Sequence, residues 1–303
     1  MRARLLGSGA GGGVPQWNCG CARCAAARTG AARARTQSSL AVAGEDGPWF
    51  LLNVSPDVRQ QLAASPELWP PPGALRGSVI GGCVLTDAEL DHVTGLTLLR
   101  EGERFGVRTT VTVRRWLSER FPLEAVLARY CERPFEDFAL DEPFELRGGH
   151  GATGLSVRAF ELGRRAPRWV GADEGEHPGA VVGLVVEDAR GGRLVYAPAV
   201  AGPSAALERA LAGADAALLD GTFWDEGELA RHRPGAPSAR AIGHWPVGGA
   251  DGSLAWLSRL AIRERVYVHV NNTNPMLDER SPERREVERA GIRVGWDGWT
   301  FET

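Results

Sequence analysis

Short apolar runs alternate with amphipathic segments along the chain. Residues 40–43 and 49–54 are apolar, which predicts two paired strands, and residues 56–64 have the spacing of a short helix. Farther along, the apolar run at 78–85 predicts a strand and the apolar positions within 93–99 predict a helix. Strand and helix patterns that follow one another in this way indicate an α/β protein.

The same alternation continues towards the carboxyl end. It predicts strands at 107–113, 154–160, 180–187, 193–197, 216–220 and 265–270, and helices at 114–129, 204–211 and 253–262. Residues 163–178 are charged, contain glycine and proline and show no period, so we predict a mobile loop that can cover a site. No linker or short repeat divides the chain, and we predict one domain over residues 1–303.

Composition excludes several classes of protein. Of the 303 residues 43% are apolar, and a net charge of −3 with scattered Lys and Arg argues against binding to nucleic acid or to an anionic membrane. The chain starts without the apolar core of a signal peptide, and no apolar run reaches the length of a membrane span. Three of the five cysteines crowd together, which indicates a metal site in a reducing compartment. We therefore expect a cytoplasmic protein.

An acidic stretch carries the clearest candidate chemistry. Four potential metal ligands lie between an apolar strand and a helix: Asp87, Glu89, Asp91 and His92. Ligands bind at the carboxyl ends of strands in open α/β sheets. Carboxylate oxygens with imidazole suit Fe(II), Mn(II) or Mg(II) better than thiolates do. Taken alone, however, such a turn is more often a solvated helix N-terminus, where negative charge is favourable.

Three cysteines near the amino end have metal-binding spacing. Cys19, Cys21 and Cys24 form a C-x-C-x-x-C pattern, and a turn of this size brings three sulfurs onto one soft cation. We predict a structural zinc knuckle over residues 19–24, with a fourth ligand from elsewhere in the chain. Such a site would tie the amino-terminal segment to the body of the fold.

A glycine-rich segment precedes the cysteines. Residues 7–13 match the Gly-x-Gly-x-x-Gly pattern of dinucleotide-binding loops. That pattern requires a helix to follow, whereas Pro15, Trp17 and the cysteines come next. We therefore interpret the segment as a turn whose backbone passes close to another element.

Several further polar residues stand near predicted strand ends. His269 ends a strand and can converge with the acidic stretch at one sheet edge, His244 lies in a turn, and Asp220 ends another strand. His177 falls in the predicted loop. A single histidine at a strand end is more often a surface or hydrogen-bonded residue than a ligand, so none of them identifies a site alone.

The glycine-rich start, the cysteine knuckle and the segments 85–96, 219–224, 243–246 and 269–275 occur in this order along the chain. Together they resemble the coenzyme PQQ synthesis protein B family, and the resemblance spans essentially the whole chain. That family belongs to the metallo-β-lactamase superfamily. The resemblance therefore implies the αββα sandwich of that superfamily. This is an α/β fold with four layers, and it is also classed as α+β.

The resemblance also implies the ligands of an active-site metal. The usual H-x-H-x-D-H motif of the superfamily aligns with Asp91 and His92, and it places Asp87 and Glu89 where its two leading histidines stand. His269 matches the last active-site histidine of the phosphodiesterase and ribonuclease Z branch. We expect Asp91, His92 and His269 as core ligands. Glu89 or Asp87 would be a further ligand or an orienting residue.

Other positions depart from the superfamily pattern. The carboxylate that bridges two metals would fall near Ala199, which offers no ligand, while His177 is a candidate for the middle ligand. One metal with mixed histidine and carboxylate ligands is then expected, similar in character to the facial triad of non-haem Fe(II) oxygenases. His244 matches a histidine near the leaving group, and with Asp220 it would handle protons or position the substrate.

The fourth ligand of the structural zinc is a further departure. In related knuckle-bearing phosphodiesterases it is a histidine three positions after the active-site one, and here that position is Asn272. Asn272, Asn274 or a water molecule then completes the site.

The resemblance finally implies an activity. Members of the family are taken to be Fe(II)- and O2-dependent hydroxylases in the biosynthesis of pyrroloquinoline quinone (PQQ), acting on the tyrosine ring of a cross-linked Glu–Tyr diamino acid. One alternative is a non-catalytic carrier that transports PQQ or its precursor towards the periplasm, and a less favoured one is a dinuclear zinc hydrolase. Zinc can displace iron from such ligands in a purified sample. A homodimer is among the assemblies left open.

Overall fold

A computed structural model describes residues 1–101, 104–149, 151–171 and 175–303. Its strands are β1 (Arg2–Gly7), β2 (Ser39–Ala43), β3 (Trp49–Leu52), β4 (Ile80–Val84), β5 (Gly106–Thr109), β6 (Phe135–Asp137), β7 (Pro143–Gly148), β8 (Gly151–Gly163), β9 (Val181–Asp188), β10 (Arg193–Ala197), β11 (Ala216–Asp220), β12 (Glu264–Val268), β13 (Arg293–Val294) and β14 (Thr300–Glu302). Its helices are α1 (Ala22–Arg28), α2 (Val58–Ala63), α3 (Leu90–Val93), α4 (Val111–Glu119), α5 (Leu123–Leu127), α6 (Ala205–Leu211), α7 (Glu228–His232), α8 (Ser253–Leu257) and α9 (Pro282–Arg289).

The strands form two mixed sheets. The first has the order β14-β1-β2-β3-β4-β5-β6, antiparallel as far as β3 and parallel from β3 to β6. The second has the order β13-β12-β11-β10-β9-β8-β7, parallel as far as β10 and antiparallel from β10 to β7. The predicted pairing of residues 40–43 with 49–54 is confirmed, since Leu40 stands opposite Leu52.

Apolar side chains fill three layers between these elements. Leu40 and Leu52 of the first sheet pack with Leu184 and Leu218 of the second, so the two sheets face each other. A second cluster, which includes Trp116 of α4, covers the outer face of the first sheet. A third cluster covers the outer face of the second sheet with side chains of α6, α8 and α9. Helices therefore lie on both outer faces, which confirms the αββα sandwich.

The strand predicted at residues 107–113 is too long. It ends at Thr109, because Thr110 is the N-cap of α4 and its hydroxyl accepts a hydrogen bond from Val113 N at 3.2 Å. Threonine in this position satisfies an N–H group that has no partner within the helix. The apolar residues after Thr110 thus belong to a helix face rather than to a strand.

Three predicted helices also differ from the observed ones. Residues 114–129 were expected in one helix, but Pro122 separates α4 from α5, since proline lacks the N–H that a continuous helix needs. The helix predicted at 253–262 ends already at Leu257. Residues 93–99 form mostly a 3₁₀ turn after the short α3. No helix in the described ranges combines the length and apolarity needed to cross a membrane.

The predicted loop at 163–178 contains residues 172–174, which lie outside the described residues. Its described part includes a 3₁₀ turn at Arg168–Val170. Trp169 Nε1 donates a hydrogen bond to Ala88 O at 2.9 Å. This part of the loop is therefore fixed to the acidic stretch.

Candidate metal centre

Strand ends of both sheets bring the candidate ligands together, so the expectation of a single sheet edge is wrong: β4 belongs to the first sheet, and β11 and β12 belong to the second. The acidic stretch follows β4, Asp220 ends β11 and His269 follows β12. One potential ligand atom from each of Asp91, His92 and His269 lies within 4.8 Å of the others. His269 Nε2 is 3.3 Å and His92 Nε2 is 3.9 Å from the same atom, Asp91 Oδ2.

The backbone that carries two of these residues is held against the loop after β3. Val54 N donates to His92 O at 2.7 Å, and Gly95 N donates to Val54 O at 3.0 Å. A Cβ atom on Gly95 would lie 2.0 Å from Ser55 O, so only glycine fits here. This close approach fixes α3, on which Asp91 and His92 lie.

Asp87 fixes the orientation of the His92 ring. Both of its carboxylate oxygens lie 2.8 Å from His92 Nδ1, and they also accept hydrogen bonds from Thr86 Oγ1 at 2.7 Å and Glu89 N at 2.9 Å. Burial alone would raise the pKa of Asp87, but the charge of His92 and these hydrogen bonds lower it. His92 Nε2 remains buried without a hydrogen-bond partner among the described residues. A ring nitrogen in this position suits a metal ion.

His269 is held in a similar way by Thr222. His269 Nδ1 lies 2.8 Å from Thr222 Oγ1, which in turn donates to Asp220 Oδ1 at 2.6 Å. Nδ1 then acts as the donor towards Thr222, and Nε2 is directed at Asp91 Oδ2. The backbone of His269 is left-handed, with φ of 56°, a conformation that is unfavourable for a residue with a side chain. Sequence analysis gave Thr222 no role, although its hydroxyl follows a strand end by two residues.

Asp220 and His244 form a second hydrogen-bonded pair beside this cluster. His244 Nδ1 lies 2.7 Å from Asp220 Oδ2, and the imidazole stacks on that of His269 with 5.4 Å between ring centres. Burial alone would lower the pKa of His244, but the Asp220 carboxylate raises it. Asp220 also accepts hydrogen bonds from Val200 N and Thr222 N, both at 2.9 Å. The residue before Val200 is Ala199, which has no ligand atom in its side chain.

Two other candidates belong to neither of these clusters. The side chain of Glu89 is exposed, and it joins none of the groups of possible ligand atoms among the described residues. His177 joins none of them either and lies against the ring of Trp116, 5.3 Å away between ring centres. The residues after His177 are bound to α4, because Thr110 Oγ1 donates to Gly179 O at 2.7 Å. The structure therefore does not bring His177 to the position of a middle ligand.

The glycine-rich segment forms one wall of the site. Gly9 N donates to Thr36 O at 2.8 Å and Ala10 N donates to Val270 O at 3.0 Å, which confirms a turn that passes close to other elements. A Cβ atom on Gly11 would lie 3.2 Å from Asp91 Oδ2. Glycine at this position thus allows the backbone to approach a candidate ligand, a role that sequence analysis did not assign.

The cysteine knuckle lies close to the same wall. The sulfurs of Cys19, Cys21 and Cys24 are within 4.8 Å of one another, which fits a soft cation such as zinc. Asn272 Nδ2 lies 3.3 Å from Cys24 Sγ, the geometry of an N–H donor to sulfur. No His, Cys, Asp or Glu elsewhere in the described ranges joins the three sulfurs as a fourth ligand.

Comparisons with known proteins show the family of the chain. A family model described as the β-lactamase superfamily domain matches residues 48–270. Coenzyme PQQ synthesis protein B of Azoarcus sp. (strain BH72) is 44% identical over 98% of both chains. The protein of the same name from Pseudomonas fluorescens (strain SBW25) is 40% identical over 100% of both chains.

Solved structures give the same answer at the level of the fold. The crystal structure of Zn(2+)-bound PqqB from Methylobacterium extorquens has a TM-score of 0.91 and 40% identity, with 100% of both chains covered. A diphosphatase from the PhnP family has a TM-score of 0.66 and 22% identity over 100% of this chain and 97% of its own, and it shares the fold. The sequence, the two facing sheets and these relatives lead to one conclusion: the chain belongs to the coenzyme PQQ synthesis protein B family of the β-lactamase superfamily.

Proposed function

We propose that this protein is an Fe(II)- and O2-dependent hydroxylase in PQQ biosynthesis. Its substrate is the tyrosine ring of a cross-linked Glu–Tyr diamino acid. The observation that carries the proposal is the convergence of one carboxylate and two imidazoles, those of Asp91, His92 and His269, within 4.8 Å. This donor set is typical of non-haem Fe(II) oxygenases. Bound iron would supply the redox chemistry that O2 activation requires.

The protonation pattern of the two imidazoles supports a metal at this point. Asp87 holds Nδ1 of His92 and Thr222 holds Nδ1 of His269, both at 2.8 Å. Each Nε2 therefore faces Asp91 without competition from a neighbouring donor. In this proposal Asp87 orients a ligand and does not bind the metal itself. Glu89 would enter the coordination only through a rearrangement of its exposed side chain.

The surroundings of Asp220 argue against a dinuclear hydrolase. Its carboxylate already accepts hydrogen bonds from Val200 N, Thr222 N, Thr222 Oγ1 and His244 Nδ1. A carboxylate has about four lone-pair positions, so little capacity remains for a second metal ion. Ala199 supplies no bridging carboxylate next to it. Asp220 therefore serves His244, and one metal is expected in the centre.

His244 is the group best placed to move a proton. Asp220 fixes its Nδ1, which leaves Nε2 as the remaining acid or base. Hydroxylation of a phenol places oxygen on a ring carbon, and the hydrogen of that carbon leaves as a proton when the ring regains its aromaticity. We assign His244 to accept such a proton from the substrate, while Asp220 stabilises the imidazolium that forms.

The test is a single-turnover reaction. The full-length protein is loaded with Fe(II) under anaerobic conditions and then exposed to O2, the Glu–Tyr diamino acid and ascorbate. Ascorbate supplies the two electrons that reduce the second oxygen atom to water when only one atom is inserted. The proposal predicts O2 consumption and a product that is heavier by one or two oxygen atoms. His269→Ala should abolish both, whereas His232→Ala, which changes an exposed histidine of α7, should preserve both.

The same experiment separates the alternatives. Absence of O2 consumption by the iron-loaded protein would contradict the hydroxylase. Tight binding of PQQ without turnover, unaffected by His92→Ala and His269→Ala, would instead favour a carrier. Cleavage of a phosphodiester with two metal ions in the centre would favour the hydrolase.

A further inference from the structure

Two segments that reach the metal centre are bound to the same sulfur atom. Gln16 N donates a hydrogen bond to Cys24 Sγ at 3.4 Å, and Asn272 Nδ2 donates to this atom at 3.3 Å. Cys24 itself is fully buried. One segment runs back from Gln16 to Gly11, and the other runs back from Asn272 to the ligand His269. Two segments of the chain therefore connect the cysteine knuckle to the metal centre.

The first connection ends at Asp91. A Cβ atom on Gly12 would lie 2.7 Å from Gln16 Nε2, so the Gln16 side chain rests on the glycine-rich turn. A Cβ atom on Gly11 would lie 3.2 Å from Asp91 Oδ2, the oxygen that faces His269 Nε2. The glycine backbone therefore passes beside the Asp91 carboxylate, and a shift of the turn in that direction would press on this side chain.

The second connection begins at His269. Its left-handed backbone is unfavourable for a residue with a side chain, so contacts beyond it must hold it in place. Val270 N donates to Ser8 O at 2.9 Å, and Asn272 follows with its bond to Cys24. Asn272 O also lies 3.8 Å from Cys21 Sγ. The turn that presents His269 is thus bound on its far side to Cys24 and lies beside Cys21.

We infer that the knuckle positions the metal centre, with Cys24 and Asn272 as positioning residues. A cation held by the three sulfurs keeps Cys24 as a thiolate, which accepts hydrogen bonds more strongly than a thiol does. Both segments are then fixed, and Asp91 and His269 stay in reach of one ion. The inference rests on the proposed function only in that Asp91, His92 and His269 bind a metal. It does not depend on the reaction that follows.

The first test measures binding of Mn(II), which prefers oxygen and nitrogen ligands to thiolates. The full-length protein carries zinc in the knuckle, and free Mn(II) is followed by its electron paramagnetic resonance signal. Asn272→Ala should weaken Mn(II) binding by about 5- to 150-fold, the usual range of coupling between two sites. Asn18→Ala, an exposed asparagine of the knuckle loop, should bind like the parent. Thermal unfolding verifies that each variant is folded.

The outcomes separate this inference from the proposed function. If His269→Ala binds Mn(II) as the parent does, the metal centre itself is wrongly assigned. If His269→Ala abolishes binding while a folded Asn272→Ala binds like the parent, the knuckle does not position the centre and the inference is overturned.

A second test needs no substitution. Coupling is reciprocal, so an ion in the metal centre must stabilise zinc in the knuckle by the same factor. Zinc loss to a competing chelator is followed with and without saturating Mn(II). The equilibrium constant for zinc removal should fall when Mn(II) is present, by the same factor by which removal of the knuckle zinc weakens Mn(II) binding to the parent protein. Equal zinc loss in both conditions would refute the coupling.

Discussion

At the scale of single residues, the role of Asp87 is to orient the ring of its neighbour His92. Both of its oxygens lie 2.8 Å from His92 Nδ1. Asp87→Asn keeps the shape but removes the charge that orients the ring, so the affinity of the centre for Fe(II) should fall by about 10- to 100-fold, as for other outer partners of ligand histidines. Anaerobic calorimetric titration with Fe(II) measures this change.

Asp46→Asn is the matched control for Asp87, since Asp46 is exposed. Its titration should coincide with that of the parent. A complete loss of binding in Asp87→Asn, as large as that in His92→Ala, would show that Asp87 is itself a ligand and would correct the assignment made above.

His244 gives a different expectation at the same scale. Its Nδ1 is bound to Asp220 at 2.7 Å, and in the proposed function it moves a proton rather than binding the metal. His244→Gln should leave Fe(II) affinity unchanged and lower the turnover rate by about 100- to 10,000-fold, the usual contribution of an acid or base. Rapid-quench product analysis after calorimetric titration checks both parts. Loss of Fe(II) affinity in this variant would identify His244 as a ligand.

At the scale of elements, the side chain of Thr110 helps to determine where helix α4 begins. Thr110 caps this helix through Val113 N and also donates to Gly179 O at 2.7 Å. Thr110→Ala should lower the free energy of unfolding by about 1 to 2 kcal/mol for the lost cap. Urea denaturation measures the loss. Thr110→Ser retains the hydroxyl and should lose less than half as much, and equal losses would mean that the methyl group matters instead.

The same helix shows why part of the fold escaped sequence analysis. An apolar run of Val and Thr favours a strand by propensity, whereas the cap of Thr110 on Val113 N and the burial of Trp116 favour a helix. The sandwich itself was predictable, because its apolar strands carry a strong local pattern and its motifs match a family. The place of His177 was not, since it depends on backbone contacts between a loop and α4.

The grouping of the candidate ligands was predictable to a similar degree. The family motif and the strand ends marked Asp91, His92 and His269 as candidates, and possible ligand atoms of all three lie within 4.8 Å of one another. Which carboxylate orients a ring and which faces the metal depends on the short turn of α3, a geometry that spacing alone leaves open. Asn272 illustrates the same limit, since its contact with Cys24 joins residues 248 positions apart.

For the whole molecule, the decisive quantity is the number of metal ions per chain. One knuckle and one mononuclear centre predict two ions, whereas a dinuclear hydrolase with the same knuckle predicts three. Elemental analysis after gentle anaerobic purification measures this number. The total is more informative than the identity of the metal, because zinc can replace iron in the centre during purification.

Substitutions at single residues show how many of these metal ions each site binds. His269→Ala should lower the count by one ion and leave the knuckle zinc, while His232→Ala should leave it unchanged. A fall from three ions to one in His269→Ala would reveal a second metal that shares this histidine, as the neighbouring group of Asp220, His244 and His269 would permit. The assignment of a single active-site metal would then be wrong, and the argument for an oxygenase that depends on it would also fail. A fall of one ion would support a single active-site metal. The physical reason would be that the four hydrogen bonds that Asp220 accepts leave its carboxylate little capacity for a second metal ion.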